Sequence, residues 1–560
     1  MPNTTITSLD DFGVITSVFN AEELGFGRDI NSQGAVVVCN SQNKSIVYAL
    51  IDEEIEGKSD DEKIWLAPFF DAGRKKVLEP NQEHYTNCEF KKKFVSKDII
   101  KNACEQHGSN SKTKDDTNNK KINEIEKMLL DSDNLGASDI HISGDKNHSF
   151  IKFRINGELQ LYGTERNQNE VYSLISVLYS NMAATDGSIE GEQFNELEQA
   201  DAVLYRDIQD KRFGLRITTH PTTREKKQFY MVCRCLGDQK EYAKKIPFEE
   251  LGFIFDQPKK IKEALRSRGM VLTIGETNSG KSVSQQNYLM EIRDDANNTT
   301  SIYAMENPIE RQLKGIIQFN VIESGSRSET GNEKQSEALM KYFMRADPNT
   351  LALAEIRDFM SVDAAQKLAQ TGHKVFATLH CESPFDVVER MVGLGAKQAT
   401  LANSQILGAV ISQKLLKKIC PTCSYDINSI PDINEDQMIA LEQICNMGLG
   451  HKIKDIKFRN KAPIACKNPK CTNGLIGRKL IAEVVNLNSE LLQIMASGNK
   501  EKALVEWLKT GNITKHDVAL NALFKGEVEI EDIITDIGNL DSTYNIRNTY
   551  NINNPSQIYV

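Results

Sequence analysis

Between residues 241 and 415, short apolar runs alternate with helix-length segments. The runs are "MVLTI", "SIYAM", "TLALAEI" and "KVFATLH". Continuous apolar runs of this length suit strands buried on both faces, and their alternation with helical segments predicts a mostly parallel sheet covered by helices, an α/β fold. Upstream the pattern changes. "INEIEKMLLDS" has helical periodicity, and "IKFRINGELQLYG" alternates on both sides of Asn156-Gly157, the residue pair a two-residue hairpin turn prefers. With "RFGLRITTHPTT" and "KQFYMVCRCLG" as further strands, residues 122–240 are expected to form a small α+β domain. Residues 1–104 hold strand-like runs such as "GAVVVCN" and "KSIVYALI" but suggest no chemistry, and the polar stretch over 105–121 reads as a flexible linker. Residues 486–540 read as short helices, and the asparagine-rich end, 541–560, as a disordered tail.

Composition narrows the function classes. The 560 residues carry a net charge of -10, which argues against a phosphate-backbone track, so no nucleic acid partner is expected. No stretch approaches the ~20 apolar residues of a membrane span, and "MPNTTITSLDDFG" lacks the basic start and apolar core of a signal peptide. The expectation is a cytoplasmic protein that meets a membrane only through partners. Of 11 cysteines, seven (Cys39, Cys88, Cys104, Cys233, Cys235, Cys381 and Cys445) read as packing or surface thiols.

The chemistry starts after "MVLTI", with "GETNSGKS": Gly275, Glu276, Thr277, Asn278, Ser279, Gly280, Lys281 and Ser282. Glycines let such a loop wrap phosphates with its amides, and the following helix adds its positive end. Lys281 is expected on the β- and γ-phosphates of ATP, and the Ser282 hydroxyl on Mg²⁺. Glu355 closes the strand "TLALAEI", so it should face the same crevice as the loop.

The order of motifs resembles the ATPases of type IV pilus assembly and type II secretion. Here "MENPIE" (Glu306 to Glu310), "RADPNTLALAEIRD" and "TGHKVFATLHC" stand where that family has boxes similar to "IEDPIE", "RQDPD" with "GEIRD", and "TGHLVFATLHT". The resemblance covers about residues 123–540, taking in "GASDIHI" and "GLIGRKLIAEVV", and does not extend to 1–104. It implies a RecA-like core over 241–415, preceded by a PAS-like small domain. It implies Glu306 as general base or water-orienting carboxylate, and Glu355 holding Mg²⁺ through water. His373 and His380 would sense the γ-phosphate or couple neighbouring lobes, and Arg216 and Arg234 would be charge-stabilising fingers. It further implies a homo-hexamer driving an inner-membrane platform protein that adds pilin to a fibre, with a type II secretion motor as the alternative. A nucleic-acid translocase or a non-hydrolysing ring are lesser alternatives, the latter because Asn307 stands where the family has Asp. Ala354 likewise replaces a Gly.

"CPTC" (Cys420, Cys423) and "CKNPKC" (Cys466, Cys471) are separated by 42 residues. Four thiolates suit tetrahedral Zn²⁺ with no open position, hence a structural ion in a module over 416–485. The family's assembly and secretion members carry a similar module, which favours extension or secretion over retraction.

Overall fold

The computed structural model describes residues 14–20, 34–41, 44–52, 89–96, 99–100, 111–179, 200–223, 227–236, 240–307, 309–321, 338–461 and 466–555, with residues 66, 69, 70, 72 and 197 besides. The chain divides into two compact units, Met1–Glu126 and Lys127–Val560.

In the first unit, β1 (Val14–Asn20), β2 (Gly34–Ser41) and β3 (Lys44–Asp52) form an antiparallel meander, and β4 (Glu89–Val95) joins β3 in parallel. Val36, Ala49, Leu50, Ile51 and Val95 are buried in it. The apolar runs expected as strands are β2 and β3.

Helix α1 (Ser111–Asn134) replaces the expected linker from Ser111 onward; residues 105–110 lie outside the described residues. The polar stretch contains neither proline nor glycine after Gly108. Once "INEIEKMLL" nucleates a helix, each added residue gains a hydrogen bond at little cost.

The small domain of the second unit is a six-stranded antiparallel sheet in the order β7-β6-β5-β10-β9-β8. Its strands are β5 (Ala137–Gly144), β6 (Phe150–Ile155), β7 (Glu158–Leu161), β8 (Ala200–Ile208), β9 (Lys211–Pro221) and β10 (Phe229–Leu236). Asn156 and Gly157, at φ 53° and 90°, turn β6 into β7 as the sequence predicts. Helix α2 (Gln168–Val177) buries Val171, Leu174 and Ile175.

The core is a seven-stranded sheet in the order β13-β12-β14-β15-β11-β16-β19. Its parallel members are β11 (Gly269–Ile274), β12 (Ile302–Glu306), β13 (Ile317–Asn320), β14 (Thr350–Ile356), β15 (Lys374–Leu379) and β16 (Leu407–Ile419). Helices α3 (Gln257–Arg266), α4 (Lys281–Asp295) and α5 (Phe359–Gln370) cover it. Strand alternation supplies both layers. Met270, Leu272 and Ile274 join the core on one face with Val375, Ala377 and Leu379, while Val271 and Phe376 join the core on the other.

The cysteine segment departs from its expected boundaries. β19 (Leu475–Asn486) pairs antiparallel with β16 as an edge of the core sheet, so the segment is an excursion between two core strands. The short pair β17 (Tyr425–Asp426) and β18 (Lys457–Phe458), with α6 (Glu435–Asn446) between them, fills that excursion. Helices α7 (Ser489–Ala496), α8 (Lys500–Lys509), α9 (Lys515–Phe524) and α10 (Ile530–Asp536) follow as expected.

The end of the chain is folded through residue 555, against expectation. Helix α11 (Ser542–Thr549) inserts Arg547, whose Nη1 and Nη2 donate to Asp517 Oδ1 and Oδ2 at 2.7 and 2.6 Å; both side chains are fully buried. Ile546 and Ile552 pack against one core cluster beside this pair, and Tyr544 against another. Residues 556–560 lie outside the described residues.

Candidate nucleotide site

Strand β11 ends at Ile274, and the chain turns at once through Gly275 to Gly280 into α4. Gly275, Asn278 and Gly280 all have positive φ, at 144°, 65° and 86°. Such alternation turns successive amides toward one point, an anion nest. A Cβ on Gly275 would stand 2.3 Å from the Gln413 carbonyl oxygen, so a side chain there would push the loop off β16. Gln413 also donates its side-chain amide to the Ser279 carbonyl at 2.8 Å, pinning the loop. Lys281 opens α4 and donates through Nζ to Gly275 O at 2.8 Å and Glu276 O at 2.6 Å. Burial pushes its pKa down, against the pull of Glu355 and Glu276.

The loop borders a cavity of about 410 Å³. Thr277 to Ser282, Glu306, Asn307, Glu355 and His380 line it from the core, and Arg216 and Arg234 from the small domain. The acidic residues and His380 all come from the C-terminal ends of parallel strands, where open α/β sheets bind ligands. Two local features aim them. The pairing of β14 with β15 slips between Ala352 and Glu355, a bulge of the kind that redirects a side chain. Glu355 Oε1 then lies 3.0 Å from His380 Nε2. Glu306 is held by Gln318 Nε2 on Oε1 at 2.7 Å and Gln286 Nε2 on Oε2 at 3.5 Å. Burial raises the pKa of Glu306 and of nearby Glu310, with Arg234 and Arg311 drawing Glu310 partly back.

The two arginines are held differently. Arg216 donates through Nη1 to the Asn307 carbonyl at 3.3 Å, while Arg234 donates through Nε to Asp139 Oδ1 at 3.2 Å. The backbone carbonyl of Asn307 serves this contact equally with Asn or Asp at that position. The Ala354 side chain lies outside the described residues.

His373 does not line the cavity, which corrects its expected place at the γ-phosphate. It precedes β15 and His380 follows it, so about 20 Å of strand separates them. Its Nδ1 lies 2.8 Å from Thr371 Oγ1 and 3.2 Å from the Leu368 carbonyl, at the end of α5. Its other expected part, coupling neighbouring lobes, rests on the resemblance alone. Conversely, Arg478 of β19 lines the cavity and donates to the Asn278 carbonyl at 3.3 Å, with its pKa lowered by burial. A single arginine in "GLIGRKLIAEVV" carries no spacing signal; only the pairing of β19 with β16 brings it to the loop.

The four cysteines converge, all sulfurs lying within 4.8 Å of one another. Cys420 Sγ is 3.8 Å from Cys466 Sγ, and Cys423 Sγ 3.7 Å from Cys471 Sγ. A tetrahedron of ~2.3 Å Zn–S bonds has edges of about 3.8 Å, so this set fits the ion. Burial pushes the Cys420 thiol up, but the Thr422 and Cys423 amides and the Cys471 thiol bring it down to about 7, while Cys423 is pushed up. Asn468 Nδ2 donates to Cys420 Sγ at 3.5 Å, an outer partner of the sort that orients metal ligands. Elsewhere, Cys233 is buried in β10, Cys235 and Cys381 are partly buried and Cys445 is exposed, as packing or surface thiols should be. The side chains of Cys39, Cys88 and Cys104 lie outside the described residues. Among the described residues no helix is long and apolar enough to cross a membrane.

Known proteins are similar to this chain in sequence. The type IV pilus assembly ATPase PilB of Pseudomonas aeruginosa is 30% identical over 418 residues, 73% of this chain and 66% of its own length. Type II secretion system protein E of Pectobacterium carotovorum subsp. carotovorum is 26% identical over 413 residues, 73% of this chain and 74% of its own. Among solved structures, the Legionella pneumophila ATPase DotB aligns at TM-score 0.49 and 17% identity, covering 73% of this chain and 94% of that one. The chain spans a little under two thirds of the length of two pilus-assembly relatives, 66% for that of Pseudomonas aeruginosa and 65% for that of Acinetobacter baylyi. With residues 114–535 matching the family described as type II/IV secretion system protein, well over half of the sequence, the chain belongs to that family.

Proposed function

We propose that this chain is a Mg²⁺-dependent ATPase whose hydrolysis drives assembly of a type IV pilus. The observation that carries the reading is convergence: Lys281, Glu306, Glu355 and His380 of the core and Arg216 and Arg234 of the small domain border one cavity.

Lys281 turns from its own loop carbonyls to the β- and γ-phosphates. Ser282 and Glu355 would hold Mg²⁺, which neutralises charge on the phosphate oxygens when bound. Glu306, kept oriented by Gln318, accepts a proton from the water that attacks the γ-phosphorus. The bond to the β,γ-bridging oxygen breaks, and ADP and phosphate result. A carboxylate whose pKa burial has raised is a better proton acceptor than a solvated one. The arginines stabilise charge on the transferring group from the opposite lobe, so lobe closure follows the γ-phosphate.

The finer parts of the proposal rest on the family resemblance and, for zinc, on the convergence of the four cysteines. They are a homo-hexamer at the cytoplasmic side of the inner membrane, a membrane-embedded platform protein as partner, and a structural Zn²⁺ on Cys420, Cys423, Cys466 and Cys471. The relative named type II secretion system protein E, matched over a similar span, supports export as the second reading. Turnover of Mg-ATP by the purified chain, beside Lys281→Ala, tests the enzyme. The expected outcome is loss of activity in the variant; equal turnover in both would overturn the reading.

A further inference from the structure

Strand register in the small domain sets four charged residues side by side. Arg154 of β6 pairs with Asp139 of β5, Asp139 with Arg234 of β10, and Arg234 with Arg216 of β9. Directly opposed residues of antiparallel strands share a face, so one carboxylate and three guanidiniums form a row across four strands. The last two, Arg234 and Arg216, border the nucleotide cavity. Asp139 does not, and its side chain is only 4% exposed.

We propose that Asp139 is a positioning residue for Arg234, fixing the guanidinium that meets the triphosphate. The inference rests on the ATP reading above. Three features carry it. Asp139 Oδ1 accepts from Arg234 Nε at 3.2 Å, and a carboxylate at Nε fixes the guanidinium plane while leaving terminal amino groups for another anion. Asp139 is itself immobilised, because Oδ2 accepts from Ser138 Oγ at 2.8 Å and faces Arg154 Nε at 3.6 Å. Finally, like charges directly opposite across a strand pair repel. The charge of Asp139 lets Arg234 stand beside Arg216 before a phosphate arrives, so the site is organised in advance.

The test separates this role from a structural one. Asp139→Asn keeps the shape and one acceptor but removes the charge. Its affinity for a non-hydrolysable ATP analogue should fall about 10-fold while that for ADP falls less than about 3-fold, and kcat should fall with the analogue affinity. Asp139→Glu, which restores the charge, should recover most of the analogue affinity; failure to recover would count against the proposal. In an Arg234→Ala background, Asp139→Asn should change nothing further. The same fold-loss in both backgrounds, or no loss in either, would overturn the inference. Thermal melting of each variant keeps unfolding apart from mispositioning. A wild-type chain that binds the analogue yet does not hydrolyse ATP sinks the motor reading and leaves the binding arm of this test intact.

Discussion

Arg459 grips Glu158 with both terminal nitrogens, Nη1 to Oε1 at 2.5 Å and Nη2 to Oε2 at 2.7 Å. Glu158 starts β7, just past the hairpin turn of the small domain; Arg459 follows β18 in the cysteine excursion. Lys417 of β16 adds a third contact, 3.2 Å from Glu158 Oε1 and 3.1 Å from Asp532. The cysteine segment therefore holds the lobe that brings Arg216 and Arg234 to the cavity.

Breaking this clamp should loosen the two lobes. The Arg459 side chain is only 6% exposed, so Glu158→Ala takes the bidentate partner from a nearly buried guanidinium and leaves it the Asn473 carbonyl, at a cost of about 2 kcal/mol. Thermal melting should show a lower midpoint for Glu158→Ala. Exchanging the charges, Glu158→Arg with Arg459→Glu, should recover part of it. A double variant no better than the worse single one would show that geometry elsewhere sets the lobe contact.

Legibility in the sequence followed the range of the interactions. The core strands were readable because each is buried by its own apolar run, and the nucleotide loop because its residues are consecutive. Glu355 was legible as the end of an apolar strand, and Glu306 only through the box around it. What the sequence did not show depends on register between distant segments. Arg478 reaches Asn278 only through β16 and β19, and Asp139 meets Arg234 only through the pairing of β5 with β10. His373 and His380 share a box, yet a strand between them sends them to opposite ends of the sheet. The tail beyond residue 540 misled because its one decisive residue, Arg547, finds its partner 30 positions upstream.

That buried pair gives a second expectation. Arg547→Ala leaves Asp517 charged in the interior, since Asp517 is fully buried; the loss should be about 3 kcal/mol. Arg547→Ala with Asp517→Asn should lose less, because the uncompensated charge is gone. Chemical denaturation of the C-terminal helices, followed by the fluorescence of Trp507 in α8 with Trp65 replaced by Phe, can read the difference. Equal losses for single and double variants would put the stability in the helix packing and not in the ion pair.

The cysteine set should bind close to one zinc per chain. Metal analysis after expression without added chelator checks the count, and chelation or Cys420→Ser should expose residues 420–475 to protease before the core sheet opens. The clamp on Glu158 runs through the same segment, so metal loss should also lower the melting midpoint by a margin that Glu158→Ala removes in advance. A chain free of metal that melts like the metal-bound one would remove the structural role.

Glu306, the proton acceptor of the proposed reaction, should impair stability. Its pKa is raised by burial, so the ionised form is worse tolerated in the folded chain than in the unfolded one. The unfolded carboxyl titrates first as pH rises. Between its ordinary value and the raised folded value, the folded state binds more protons, and this group's contribution to stability falls with increasing pH. Above the folded value the penalty is complete. Glu306→Gln removes that charge while keeping a partner for Gln318. At pH 8 the variant should melt higher than wild type, with the gap closing as pH falls to the ordinary carboxylate range. Its ATP turnover should fall by about 10²-fold or more, since the proton acceptor is gone. The pH–kcat profile of wild type should carry an acid limb above the ordinary carboxylate range. A variant that gains no stability at pH 8 would mean that Gln318 and Gln286 already hold the charge comfortably, and Glu306 would then be an ordinary carboxylate that orients water without taking its proton.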